Sequence, residues 1–300
     1  GRIPVKDPVS IRCRLIGASL REHRERAGWT IEEAARFLGC DRSKVSRIET
    51  GTRGVIPAEV AKLLDEYGAD PGGREALLAL ASAGTGRGWW EDFRALLSVG
   101  YRDIMATEHA ATHITIYAPV AIPDLLHTRD YARALAAGQV PAHVQGTAVA
   151  AAMARQKAIL AARPAQVSVL LAAAALRQRP AGATVIRDQL RYLAELTEAH
   201  PRVTIQLLPL TASLHAAGGS GTFAILRFSH DPAPTLVLAD GPGGGTFLDD
   251  QHTTTAYQRA HDELRTLALT PGESARWLRR MSGDKAQLPG TPPPALVPRA

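Results

Sequence analysis

The chain has 300 residues, 35 Lys and Arg against 29 Asp and Glu, and a formal net charge of +6, with a pI near 9.6. That surplus favours polyanionic partners but is modest for the length, and the absence of a run of about 18 apolar residues or a signal-peptide pattern predicts a soluble, cytoplasmic protein with no membrane contact. The two cysteines, Cys13 and Cys40, form neither a disulfide framework nor a zinc-ligand spacing.

Basic charge concentrates at the N-terminus. Between Arg2 and Arg53 there are twelve Lys and Arg against seven Asp and Glu, a surplus of five. Within that stretch, Gly28 to Gly51 reads G-W-T-I-E-E-A-A-R-F-L-G-C-D-R-S-K-V-S-R-I-E-T-G, which spells two short helices joined by a tight turn. Thr30, with Glu33 three residues later, makes a capping box for the first helix, which ends at Gly39. Asp41 is expected to cap the second, its carboxylate accepting from first-turn amides. Ala34, Ala35, Leu38, Val45 and Ile48 fall at the i, i+3, i+4 spacings that bury one face, and Cys40 in the turn is expected in the core. Turning Val45 and Ile48 inward leaves Arg42, Ser43, Lys44, Ser46 and Arg47 outside. Arg can bond guanine bidentately, Ser can donate or accept, and Lys neutralises phosphate, so this helix suits a DNA major groove. Any solvated helix carries charge, but here caps, turn glycine and buried positions agree.

These residues resemble the Xre/Cro group of phage-repressor-like helix-turn-helix proteins over roughly Arg12 to Ala81. The match includes Leu20-Arg21, Gly28, the helix pair, Glu49-Thr50-Gly51-Thr52-Arg53, and a helix from about Pro57 to Tyr67. The resemblance implies base contacts from Arg42, Ser43 and Arg47, with Lys44, Ser46 and Arg53 on the same DNA-facing surface. It implies that backbone amides near Thr30 and Ile31 clamp a phosphate, and that Arg24 pairs with Glu49 to brace the first helix against the third.

A last helix of this region starts at Asp70-Pro71 and ends near Ala81, followed by a flexible linker from Ser82 to Gly88. No strand precedes that glycine-rich linker and no Gly-Lys-Ser/Thr follows, so it is not a phosphate loop. After Trp89-Trp90 a helical pattern runs through Glu108, Ala111 and Ile114. It places His109 and His113 at i, i+4, the spacing of two metal ligands, but a third ligand is not evident and no metal is expected. Val167 to Leu171, Val203 to Leu208, Thr222 to Phe228 and Thr235 to Ala239 read as strands, and Val185 to Ala199 as an amphipathic helix. Thr270-Pro271-Gly272-Glu273 is a second capping box, opening a helix that ends near Met281. Ser213 and Ser220 near His215 lack a G-x-S-x-G elbow. His215 to Gly221 and Gly241 to Gly245 read as loops, and the Pro-rich tail from Leu288 as disordered. No catalytic constellation or cofactor site is visible, so the chain is not expected to be an enzyme; a hydrolase or transferase tethered to DNA is the reading that turnover would revive.

A second resemblance covers the remainder. Many actinobacterial regulators fuse an Xre-type helix-turn-helix to a domain of unknown function that follows a Trp-Trp pair and contains P-G-L-L-Q-T-x-x-Y-A-R-A. This chain matches at Pro123, Leu125, Leu126, Thr128, Tyr131, Ala132, Arg133 and Ala134, departs at Asp124 and His127, and matches again at Arg155-Gln156, Leu176-Arg177, Gln189-Leu190 and Gln206-Leu207-Leu208-Pro209. The resemblance implies antitoxin-like regulators, some of them paired with a small protein encoded beside them.

The expected architecture is mixed: an all-α helix-turn-helix domain of about five helices (1–81), a linker (82–88), a larger α+β domain (89–282) and a tail (283–300). Two functions stay open. In one, a DNA-binding repressor or activator, homodimeric on a pseudo-palindromic operator, is controlled through its α+β domain by a small ligand or partner protein. In the other, that domain only dimerises and docks a small partner. A ligand pocket would gather His127, Arg129, Tyr131, Arg155, Arg177 and His215, whose aromatic and cationic types suit an anionic or aromatic molecule; alternatively Tyr131 packs in the core and the arginines make surface pairs.

Overall fold

The computed structural model describes residues 11–82, 89–93, 99–161, 165–178, 180–212, 220–228, 235–240 and 245–283. Most of the linker at 82–88, the tail beyond Gly283, His215 and much of the two glycine-rich stretches therefore lie outside the described residues.

The chain divides into two compact units, one up to Ala111 and joined by the segment from Arg227, the other from Thr112 onward. The first unit holds α1 (Ile11–Arg26), α2 (Ile31–Phe37), α3 (Arg42–Glu49), α4 (Pro57–Glu66), α5 (Pro71–Ser82), a 3₁₀ turn at Trp89–Phe93 and α6 (Val99–Ala110). Its core is made by Ile16 and Leu20 of α1, Val45 and Ile48 of α3, Val60 and Leu64 of α4, and Leu77 and Leu80 of α5, all buried. These fall at helical spacing on each element, and that period is what joins these four helices in one core. The Thr30–Glu33 capping box forms as expected, whereas Asp41 takes the N-cap conformation without a side-chain hydrogen bond to the helix it precedes. The Lys44 amide of that first turn donates instead to the Asp41 backbone carbonyl at 2.9 Å.

The second unit is built on a six-stranded sheet of order β3-β2-β1-β4-β5-β6, with β1 His113–Ala118, β2 Gln166–Ala172, β3 Val203–Leu208, β4 Phe223–Arg227, β5 Leu236–Ala239 and β6 Thr246–Leu248. β1, β2 and β3 are parallel, while β4, β5 and β6 pair antiparallel. Parallel neighbours need crossovers. These are α7 (Arg129–Gln139) with α8 (Ala142–Gln156) between β1 and β2, and α9 (Ala183–Ala199) between β2 and β3; α10 (Gln251–Leu267) and α11 (Pro271–Ser282) close the chain.

Both sheet faces are covered. Tyr117, Leu170, Leu208, Phe223, Ile225 and Val237 pack on Ala260 and Leu264 of α10. Ile114, Ile116, Val167, Val169, Leu171, Ile205 and Leu207 are buried on the opposite face, and α9 and α11 both pack on β3. The mixed architecture, all-helical first and α+β second, is as the sequence indicates. The helix expected to continue past Ala111 does not: α6 stops at Ala110 and His113 opens β1. His109 and His113 consequently sit on a helix and a strand, and the metal-ligand spacing dissolves. Thr112 to Tyr117 alternates β-branched and polar residues, a strand pattern that a chance i, i+3 series through Glu108, Ala111 and Ile114 conceals.

Candidate nucleic-acid interface

α2 and α3 are joined by Gly39, whose φ of +63° is the left-handed conformation that an L side chain avoids. That turn places α3 with Val45 and Ile48 inward and Arg42, Ser43 and Arg47 exposed; Lys44 and Ser46 are half-buried. α3 is held against α1 by close backbone approach. A Cβ on Gly17 would overlap the carbonyl oxygen of Ile48, and one on Gly51, whose φ is +69°, would lie 2.5 Å from the Arg14 Cα.

A buried ion pair fixes the same contact. Arg24 Nε and Nη2 donate to the two Glu49 carboxylate oxygens at 2.7 and 3.0 Å, and Nη1 donates to the Trp29 carbonyl at 2.7 Å. The two side chains are 8% and 6% exposed. Hydrogen bonding to Glu49 raises the Arg24 guanidinium above its ordinary value against the opposing effect of burial. Tyr67 packs edge-on to Trp29 beside them, and burial, aided by the Glu49 charge, pushes its phenol up.

The outer face has its own internal pairings. Arg42 Nη1 lies 3.1 Å from Glu32 on α2, with both side chains exposed. Arg47 Nε donates to the Ser43 carbonyl at 3.1 Å. Lys44 Nζ donates to Glu59 on α4 at 2.6 Å, a half-buried bond. Its ammonium thus ties α3 to α4. Thr50 and Thr52 direct hydroxyls onto the last carbonyls of α3, at 2.9 Å to Ser46 and 3.3 Å to Arg47, and the Arg53 amide donates to the Arg47 carbonyl at 3.1 Å, leaving its side chain exposed. The Thr30 hydroxyl is engaged with Glu33, and Ile31 is half-buried. Glu32 and Glu59 escape sequence reasoning because their partners lie on another helix and are set by packing, whereas the two threonines bond carbonyls four and five residues earlier at the end of α3.

In the second unit, three of the six residues expected at a ligand pocket gather around residues 122–128. His127 is buried, its Nε2 donates to the Ile122 carbonyl at 2.8 Å, and its ring packs at 4.8 Å against that of Tyr131, tilted by 55°, a residue only 2% exposed. Arg155 Nη1 donates to both Asp124 oxygens at 2.6 Å. Burial opposes the Asp124 charge, but Arg155 and His127 outweigh it and hold the carboxyl below its ordinary value; burial likewise lowers the His127 imidazole. Gln156 Nε2 donates to the carbonyls of Leu125 and His127 at 2.9 Å each. Gln189 donates to the Leu126 carbonyl and accepts from the Thr128 amide, both at 2.7 Å. The two glutamines, visible in the sequence only as motif letters, are clamps on this loop. Arg129 and Arg177 are exposed, and His215 lies outside the described residues.

A tight-turned helix pair presenting exposed Arg, Ser and Arg on its second helix defines a helix-turn-helix DNA-binding protein, and residues 15–77 match the helix-turn-helix domain family. Residues 101–280 match the family described as domain of unknown function DUF5753, and the chain belongs to it. No curated protein and no solved structure matches the chain. Among the described residues no helix is long and apolar enough to cross a membrane.

Proposed function

We propose that this chain is a sequence-specific transcriptional regulator of Xre type, with α3 in the DNA major groove and the second unit sensing a small ligand or partner protein. The observation that carries the DNA reading is the seating of α3: its inner face is locked by Gly17, Gly51 and the Arg24–Glu49 pair, so its outer side chains meet DNA in one orientation. Arg42, Ser43 and Arg47 read bases, Ser46 and Arg53 lie at the edge of the same surface, and the Ile31 amide approaches phosphate, because the Thr30 amide already donates to Glu33 at 2.8 Å. Lys44 contributes its charge to the surface while its hydrogen bond goes to Glu59.

Operator affinity measured by fluorescence anisotropy tests this. Arg42→Ala and Arg47→Ala should each lose about 1 to 3 kcal/mol and relax preference at one base. Unchanged affinity in both variants would remove α3 from the groove.

A further inference from the structure

Two carboxylates from neighbouring helices flank α3, and both meet its cations. Glu32, in the first turn of α2, lies 3.1 Å from Arg42 Nη1, and Glu59, in the first turn of α4, accepts from Lys44 Nζ at 2.6 Å. The first pair is open, its side chains 71% and 53% exposed, and the second is half-buried, at 19% and 23%. Arg47, by contrast, donates to a neutral group, the Ser43 carbonyl. An exposed pair stabilises a fold little, so folding alone does not account for Glu32. A surface built for phosphate attraction gains nothing from acids beside its cations either, because each one cancels charge that counterion release would reward.

What the acids change is the choice between a phosphate and a base. A phosphate that draws Arg42 or Lys44 away leaves a bare carboxylate beside an anionic backbone, and like charges juxtaposed in this way are penalised. A base edge carries no net charge. Arg42 has five N–H donors, so it can meet guanine O6 and N7 through groups other than the one at Glu32 and keep its carboxylate partner. Lys44, a point charge already bonded at half-buried depth, stays with Glu59, which offsets its attraction for phosphate. We propose that Glu32 and Glu59 are specificity-determining residues: they oppose capture of Arg42 and Lys44 by the backbone of any sequence while leaving Arg42 able to read a base. The proposal rests on the placement of α3 in the major groove and adds the device by which that helix rejects other DNA.

The test titrates the full chain against two duplexes across a range of potassium chloride concentrations: the operator selected from a random duplex pool, and a scrambled duplex of the same length and composition. Glu32→Gln should tighten the scrambled duplex about threefold or more, steepen its salt dependence by about one unit per bound chain, and leave operator affinity within about twofold, so the ratio between the two falls. Glu59→Gln should likewise tighten and steepen binding to the scrambled duplex. The double substitution of Lys44→Ala and Glu59→Ala, which removes that pair whole, should keep the wild-type slope on both duplexes. Thermal melting identifies any variant that has lost its fold, and Glu32, being exposed, carries the test if Glu59→Gln melts early. Equal tightening of both duplexes by Glu32→Gln, or no tightening in a variant that melts as wild type, overturns the specificity role. A slope flatter by about one unit per chain in the double variant puts Lys44 on phosphate and overturns the role of Glu59. The reading beneath fails in a different way: a pool that yields no enriched sequence, or unchanged affinity in Arg42→Ala and Arg47→Ala, removes α3 from the groove whatever the two acids do.

Discussion

Arg24 and Glu49 are far apart in sequence and together at the centre of the helix-turn-helix. Two charges this buried stabilise little in net terms, because leaving water offsets most of their attraction, but removing one strands the other. Arg24→Ala should therefore lower stability by about 3 to 5 kcal/mol and leave base preference intact in whatever fraction stays folded. Urea unfolding, paired with a base-by-base affinity scan, separates these effects; a changed preference at full stability would make Arg24 a DNA contact. The pair was legible beforehand only through resemblance, since nothing in spacing alone joins positions 24 and 49. The Lys44–Glu59 bond was not legible at all. Lys44 looks like a phosphate contact because every lysine on a groove-facing helix does, and only the placement of α4 reveals the carboxylate within reach.

At the scale of elements, the seat of α3 depends on backbone contact rather than on side chains. Gly17 is a mid-helix glycine, ordinarily a weakness in α1, and its merit is that the α3 carbonyls of Ile48 and Glu49 approach where a Cβ would stand. Gly17→Ala should destabilise the first unit by about 1 to 3 kcal/mol, as overpacking does, despite the better helix propensity of alanine. Thermal melting measures the sign directly, and a stabilised variant would show that α1 and α3 slide apart freely. Helices with caps were readable from sequence: Thr30–Glu33 and Thr270–Glu273 both form capping boxes because each is complete within four residues. β1 was not readable, although it has β2 and β4 as sheet neighbours. Six residues of strand following an α-helix carry too few periods to distinguish 2.0 from 3.6, and its identity depends on neighbours that lie far along the chain.

For the whole molecule, the DNA reading implies paired half-sites. Symmetric dimers place recognition helices about 34 Å apart. Sedimentation with a duplex carrying two inverted half-sites one turn apart should give two chains per duplex, and footprinting should show two protected blocks on one face of the helix. One chain binding one half-site with full affinity would count against a dimer. The basic surplus, the capped helix pair and the alternation of helices with strands are local or additive properties, so the sequence by itself determined a helix-turn-helix unit followed by an α+β unit. The tertiary structure alone decided which strand is central, which acid takes the Lys44 ammonium, and that Gln156 and Gln189 hold the loop at residues 122–128. Each of these depends on distances between residues remote in sequence, which are set only when the hydrophobic faces of separate elements have packed.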